Sequence, residues 1–154
     1  MKVAIGSDIN AIGLKEELIS FLQTKGVDVV DCGINGNEDV DYPDIAKNVA
    51  DKILSGESDR GILLCGTGIG MALAANKVKG IRAAQVSDTY SAERAELSNR
   101  AQIITLGAKV IGSENAKKIV SAYLNSEFSY EGSGKNSARK INKIMKIEND
   151  ELKG

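Results

Sequence analysis

The sequence predicts an α/β fold: a doubly wound, all-parallel sheet of five strands with helices on both faces, followed by a C-terminal helix with no strand of its own. Three observations carry that prediction. Short β-rich runs alternate with helical runs along most of the 154 residues. The third β-rich run, Gly61-Ile62-Leu63-Leu64-Cys65, is apolar throughout, as befits a central parallel strand covered on both faces. Five strand–helix units in succession imply crossover connections, hence parallel pairing. The expected strand order is 2-1-3-4-5, in which strands one and three flank the topological switch point. The length suits a single domain, residues 1–154.

Each element has its own signal. Residues 2–7 (KVAIGS) read as a buried strand. The next helix places Leu14, Leu18, Phe21 and Leu22 on one face at i, i+4, i+7 and i+8, and Gly26 supplies its stop. Residues 27–32 form the second strand. A loop rich in Gly, Asn and Asp (33–43) leads to Pro43, which suits a first helical turn, after which Ile45, Val49 and Ile53 recur every four residues. Strand three, 61–65, passes through a glycine-rich turn into a helix over 69–77. Strand four covers 81–86 with a helix over 89–99, and strand five covers 102–106 with a helix over 114–124. Beyond a Gly/Ser turn at 131–134, a helix over about 137–148 carries Ile141, Ile144, Met145 and Ile147 on one face. It is expected to pack on a partner subunit, which makes a homodimer the default.

Composition narrows the chemistry. Apolar residues are 42% and charged residues 27%, an ordinary globular balance. A net charge of -1 gives no bulk attraction to nucleic acid or to an anionic membrane. No apolar run spans a bilayer, and Met1-Lys2 leads straight into a strand without a signal peptide, so the expected location is the cytoplasm. Cys32 and Cys65 lack framework spacing and read as reduced thiols. The chain has no histidine. Ser-His and Cys-His hydrolase mechanisms are thereby excluded, as are histidine zinc sites, and two cysteines cannot fill a zinc site alone. Acid–base work falls to carboxylate, thiol, hydroxyl, Lys or Tyr.

The strongest local feature is Leu64-Cys65-Gly66-Thr67-Gly68-Ile69-Gly70, joining a buried strand to a helix. Its glycines let the backbone approach a ligand and present N–H groups, and a helix N-terminus adds positive potential. Both favour a phosphate or an oxyanion, and both favour a thiolate at Cys65. The loop lacks the Gly-Lys-Ser/Thr ending of a Walker A motif. The first strand–helix turn, residues 6–11, does not read GxGxxG, and Met71 stands where a cysteine phosphatase needs Arg. The second feature is Gly6-Ser7-Asp8, at the end of strand one. Asp8 either faces the same crevice as Cys65 or caps the following helix. Cys32, ending strand two, reads as a packing residue.

Together these segments resemble the ribose-5-phosphate isomerase B / galactose-6-phosphate isomerase family. The likeness rests on residues 59–71 with Ala74-Ala75-Asn76-Lys77, and on Gly6-Ser7-Asp8, Asp41-Tyr42-Pro43, Gly80-Ile81-Arg82-Ala83-Ala84, Asp88-Thr89-Tyr90-Ser91-Ala92 and residues 106–112, in family order from residue 1 to about 148. The resemblance implies a Rossmann-like fold, and dimers or tetramers with the site at the subunit interface. It implies aldose–ketose isomerisation of a phosphorylated sugar, ribose 5-phosphate to ribulose 5-phosphate or a related hexose 6-phosphate, with neither metal nor organic cofactor. Under it, Cys65 takes the C2 proton and helps return one to C1. Thr67 and the N–H groups of Gly66, Gly68, Ile69 and Gly70 hold the enediolate oxygen. Asp8, with Ser7 beside it, and Tyr42 bind sugar hydroxyls, while Asn99 and Lys109 arrive from the partner subunit.

Departures from the pattern concern the same chemistry. Ile9 and Ser98 stand where the family has histidines, the second of them credited with ring opening. Lys109 replaces an arginine, keeping the charge but not the bidentate fork. The C-terminal basic element is altered, and either Lys135 with Arg139 or Asn136 with Lys140 occupies the family's arginine positions. In the galactose branch, one of two subunit types keeps the Cys-Gly-Thr-Gly loop and has Leu near the Asn. The sequence therefore favours an active isomerase of the ribose-phosphate type. The alternative is a phosphosugar-binding paralogue, or one subunit of a hetero-oligomer with little activity alone.

Overall fold

The computed structural model describes residues 1–36 and 38–151. In chain order the elements are β1 (Lys2–Ser7), a single 3-10 turn (Ile9–Ala11), α1 (Ile12–Thr24), β2 (Asp28–Asp31), α2 (Tyr42–Leu54), β3 (Arg60–Cys65), α3 (Ile69–Ala75), β4 (Ala83–Gln85), α4 (Thr89–Leu97), β5 (Ile103–Gly107), α5 (Ser113–Leu124) and α6 (Gly134–Glu151). All pairings are parallel: Ala4 stands opposite Gly61, and Cys65 opposite Gly107.

The strand order is β2-β1-β3-β5-β4, not 2-1-3-4-5. Burial explains the exchange of the last two. β5 is buried along its whole length, whereas β4 has only three residues, two of them half-buried and Gln85 exposed. A short strand with a polar end tolerates the edge of a sheet, and an apolar one belongs inside it. The chain therefore carries β4 out to the edge and returns to lay β5 against β3.

Side chains alternate along the strands and build two cores. Val3 and Ile5 point to the face covered by α1, α4 and α5, and Ala4 to the face covered by α2 and α3. Because α1, which leaves β1, and α3, which leaves β3, lie on opposite faces, the chain diverges between the C-terminal ends of β1 and β3 and opens a crevice there. Glycine sets how closely α2 sits. A Cβ at Gly6 would lie 2.5 Å from Ile45 Cγ2, and one at Gly61 would lie 2.7 Å from Val49 Cγ1. The helix rests flush on β1 and β3, and its first residue, Tyr42, reaches the rim of the crevice.

Two buried cations stitch the connections. Lys15 lies on the buried face of α1 with no exposure at all, and its Nζ donates to Asp31 Oδ1 and Asn35 Oδ1, each at 2.6 Å. Asp31 also accepts the Gly33 N–H, while the Glu38 carboxylate accepts the N–H groups of Asn35 and Gly36, which hold its pKa below the usual value. The loop between β2 and α2 is thereby pinned. Arg60, in β3, donates to the carbonyls of Tyr123 and Ser126 at the end of α5 and faces Glu96 at 3.4 Å. Ile141 of α6 is buried, but Ile144 and Ile147 remain on an outer apolar stripe. No helix among the described residues is long and apolar enough to cross a membrane.

Candidate active site

Cys65 ends β3, and the next three residues turn back over the sheet into α3. The turn is tight because β5 lies directly beneath it. A Cβ at Gly68, where φ is +82°, would lie 3.0 Å from the Leu106 backbone, and one at Gly107 would lie 2.7 Å from the Thr67 backbone. Thr105 Oγ1 donates to the Gly68 carbonyl at 2.7 Å, bracing the loop from below. The consequence for the thiol is direct: the Gly68 N–H donates to Cys65 Sγ at 3.0 Å. A backbone donor is thus aimed at the sulfur, in a site where the residue is only 6% exposed. Thr67 is exposed at the crest of the loop, and its Oγ1 accepts the Ile69 N–H at 3.2 Å.

Asp8 follows β1 across the crevice, its N–H donating to the Leu64 carbonyl at 3.0 Å. Its carboxylate caps the 3-10 turn, accepting the Asn10 N–H at 2.9 Å and the Asn10 side-chain amide at 3.0 Å. The capping reading of Asp8 holds, and the residue is half-buried. Tyr42 leans on the glycine loop, close enough that a Cβ at Gly70 would lie 2.5 Å from Tyr42 Cε1. A cleft of about 420 Å³ opens beside these residues, with Asp8 and Ile9 on one wall and Glu38, Asp41 and Tyr42 on the other. Ile9 is 68% exposed there, an apolar side chain facing solvent.

Several expected residues sit elsewhere. Ser7 is fully buried, its hydroxyl without a partner among the described residues, so it offers nothing to the crevice surface. Gly68 and Ile69 spend their N–H groups on Cys65 and Thr67. Lys109 lies at its own protomer's crevice: its N–H donates to the Gly66 carbonyl at 3.0 Å, and its stem passes beside Gly66. Ser98 and Asn99 lie at the opposite end of the sheet. The Asn99 carbonyl accepts from Arg82 Nε at 3.1 Å, just before β4 begins, whereas Cys65 is the last residue of β3. Ser98 Oγ accepts from Arg94 Nε at 2.8 Å. Lys135, Arg139 and Lys140 are all exposed on the first turns of α6. One protomer thus carries a thiol half at the C-terminal ends of the strands and a second polar group at the N-terminal ends.

Three contributors escaped the sequence reading. Thr105 looked like one more residue of an apolar strand. Lys15 sits between Leu14 and Leu18 on the apolar face of α1, and a charge at that position was a legible signal of a buried pairing. Arg82 lies in a family segment without a role attached to it.

The comparisons with known proteins agree with this geometry. Residues 3–144 match the family model described as Ribose/Galactose Isomerase. The chain is 53% identical to a D-erythrulose-4-phosphate isomerase of Pectobacterium atrosepticum, across 98% of this chain and 97% of that one. It is 48% identical to a ribose-5-P isomerase B of Listeria innocua, across 96% and 97%. The solved structure of Clostridium thermocellum ribose-5-phosphate isomerase B superposes with a TM-score of 0.91 at 45% identity, covering 97% of this chain and 99% of that one. The chain belongs to the ribose/galactose isomerase family of sugar-phosphate isomerases.

Proposed function

We propose that this chain interconverts an aldose phosphate and its ketose through an enediolate, with Cys65 as the base, and that its substrate is an open-chain sugar phosphate of the erythrulose 4-phosphate kind. The contact from the Gly68 N–H to Cys65 Sγ carries the assignment of the base. The thiolate takes the proton from C2 of the aldose and the electron pair moves onto the carbonyl oxygen. Thr67 and the loop hold that oxyanion while the proton of the O2 hydroxyl passes to O1, and the thiol returns a proton to C1 as C2–O2 becomes the carbonyl. Hydrogen leaves one carbon and arrives at its neighbour, so the step needs no oxidant or reductant.

The replacements at positions 9 and 98 support the open-chain substrate. Ribose 5-phosphate keeps a free 4-hydroxyl and closes a ring, which an acid–base group must open. A four-carbon sugar phosphorylated on O4 has no hydroxyl with which to close that ring. It needs no ring-opening imidazole, and this chain has none: position 98 is a serine tied to Arg94, and position 9 is Ile. The similar Pectobacterium protein bears the name of such an activity. We further propose that a second copy completes the site, bringing Ser98, Asn99 and the basic start of α6 to the partner's Cys65.

The test is proton exchange in D₂O followed by NMR, with erythrulose 4-phosphate and ribose 5-phosphate as substrates and Cys65→Ala as control. Exchange that is faster on the four-carbon sugar and absent in the variant is the expected result. Equal or faster turnover of ribose 5-phosphate would sink the open-chain reading and leave the isomerase standing. Exchange that persists in Cys65→Ala would remove Cys65 as the base.

A further inference from the structure

α4 ends in a way that glycine usually serves. The Arg100 N–H donates to the Glu96 carbonyl at 2.9 Å, four residues back, and the Ala101 N–H to the Ala95 carbonyl at 2.8 Å, six residues back, so the chain turns off the helix end through a left-handed residue. The left-handed position is Arg100, with φ of +47°, the one non-glycine residue with positive φ among the described residues. A side chain there is strained and persists only where neighbours over-determine the backbone. Arg82 is that neighbour. Its Nε donates to the Asn99 carbonyl at 3.1 Å and its Nη2 to the Arg100 carbonyl at 2.8 Å, so one planar fork grips two successive carbonyls at the negative end of a helix. The fork is itself fixed. The Arg82 N–H donates to Gln102 Oε1 at 2.8 Å, Gln102 Nε2 donates to the Gly80 carbonyl at 2.7 Å, and Nη1 rests on Met145 Sδ at 3.2 Å. Arg82 forms no ion pair among the described residues, and a cavity of about 790 Å³ opens beside it. What it holds in place is the turn that displays Ser98 and Asn99.

We infer that Arg82 is a positioning residue for the reaction, acting through Asn99 on the active site of the partner subunit. The inference rests on the reading above, in which Cys65 of one copy meets Asn99 of the other. It assigns to Arg82 no contact with substrate. With the fork removed, the turn relaxes out of the left-handed conformation and Asn99 is no longer presented.

The test uses purified full-length chains carrying Arg82→Ala, Asn99→Ala and Cys65→Ala, alone and mixed. Arg82→Ala is expected to lower kcat/KM about tenfold, mainly through KM, and the Arg82→Ala/Asn99→Ala pair to be no worse than Asn99→Ala. Arg82→Lys, which supplies one donor instead of a fork, is expected to fall between, and it serves in the same comparisons if the alanine variant does not fold. The decisive step is mixing. An Arg82→Ala chain with its own Cys65, refolded in equal amounts with a Cys65→Ala chain that keeps Arg82, forms one complete site per mixed dimer, and with half of the dimers mixed the activity recovers toward about a quarter of the native value. No recovery, or losses that simply add in the double variant, would overturn the inference. Activity in Cys65→Ala alone would instead overturn the assignment of the base, so the two failures are distinguishable.

Discussion

The Gly68 N–H lies 3.0 Å from Cys65 Sγ, and the position of that donor is dictated by β5 rather than by the loop itself. Gly68 adopts φ of +82°, and any Cβ there would press on the Leu106 backbone at 3.0 Å. Gly68→Ala therefore incurs about 1–2 kcal/mol of left-handed strain and lifts the N–H from the sulfur. Isomerase activity, followed as proton exchange in D₂O, should fall about tenfold. Unchanged activity in a folded variant would show that the contact from the Gly68 N–H is dispensable.

Tyr42 and Gly70 are coupled by contact. In Gly70→Ala the new methyl would sit 2.5 Å from Tyr42 Cε1, so the ring must swing away from the crevice. Overpacking of this kind costs about 1–3 kcal/mol. KM should rise several-fold. Adding Tyr42→Ala should restore the melting temperature but not KM, because the steric conflict is gone and the ring with it. Steady-state kinetics and thermal melts on the single and double variants separate the two effects.

Arg60 and Glu96 are both nearly buried, with side chains 11% and 8% exposed. Arg60→Met leaves Glu96 as an uncompensated charge and takes donors from two carbonyls at the end of α5. The expected loss is about 3–5 kcal/mol by urea unfolding. Arg60→Met/Glu96→Leu should recover much of it, although Glu96 also accepts the Phe128 N–H at 3.1 Å.

Tyr123 gives the stability a dependence on alkaline pH. Burial, slightly offset by Arg60, raises its pKa far above that of an ordinary tyrosine. Above about pH 10 the unfolded chain gives up a proton that the folded chain keeps, so stability falls by about 1.4 kcal/mol per pH unit. Cys32, raised mainly by burial, adds a slope of the same sign from about pH 8.5 upward. Tyr123→Phe should be less stable at pH 7, having lost its bond to the Ala101 carbonyl, and should lose less between pH 10 and 11 than the native chain. Denaturant melts across that range provide the check.

Much of the fold was legible because parallel α/β units announce themselves through apolar runs and helical period. β3 and the helix bearing Ile45 and Val49 fell where the pattern placed them. The order of β4 and β5 did not, since periodicity says which residues are buried and nothing about which strand lies beside which. Arg82 and Gln85, bracketing β4, were the polar hint of an edge. At the site, the glycine loop was visible because its backbone demands are written in residue type. Thr105 and Arg82 were not, because each acts through a partner on another element.

The flush seating of α2 on Gly6 and Gly61 makes the aperture over Cys65 a property of the core. Tyr42 rides on that helix, so a single methyl at either glycine would act as a shim, raising the rim without touching any residue that meets substrate. Selection for a bulkier sugar would therefore be read first in the spacer positions, residues 6, 45, 49 and 61, and only later in the lining of the cleft.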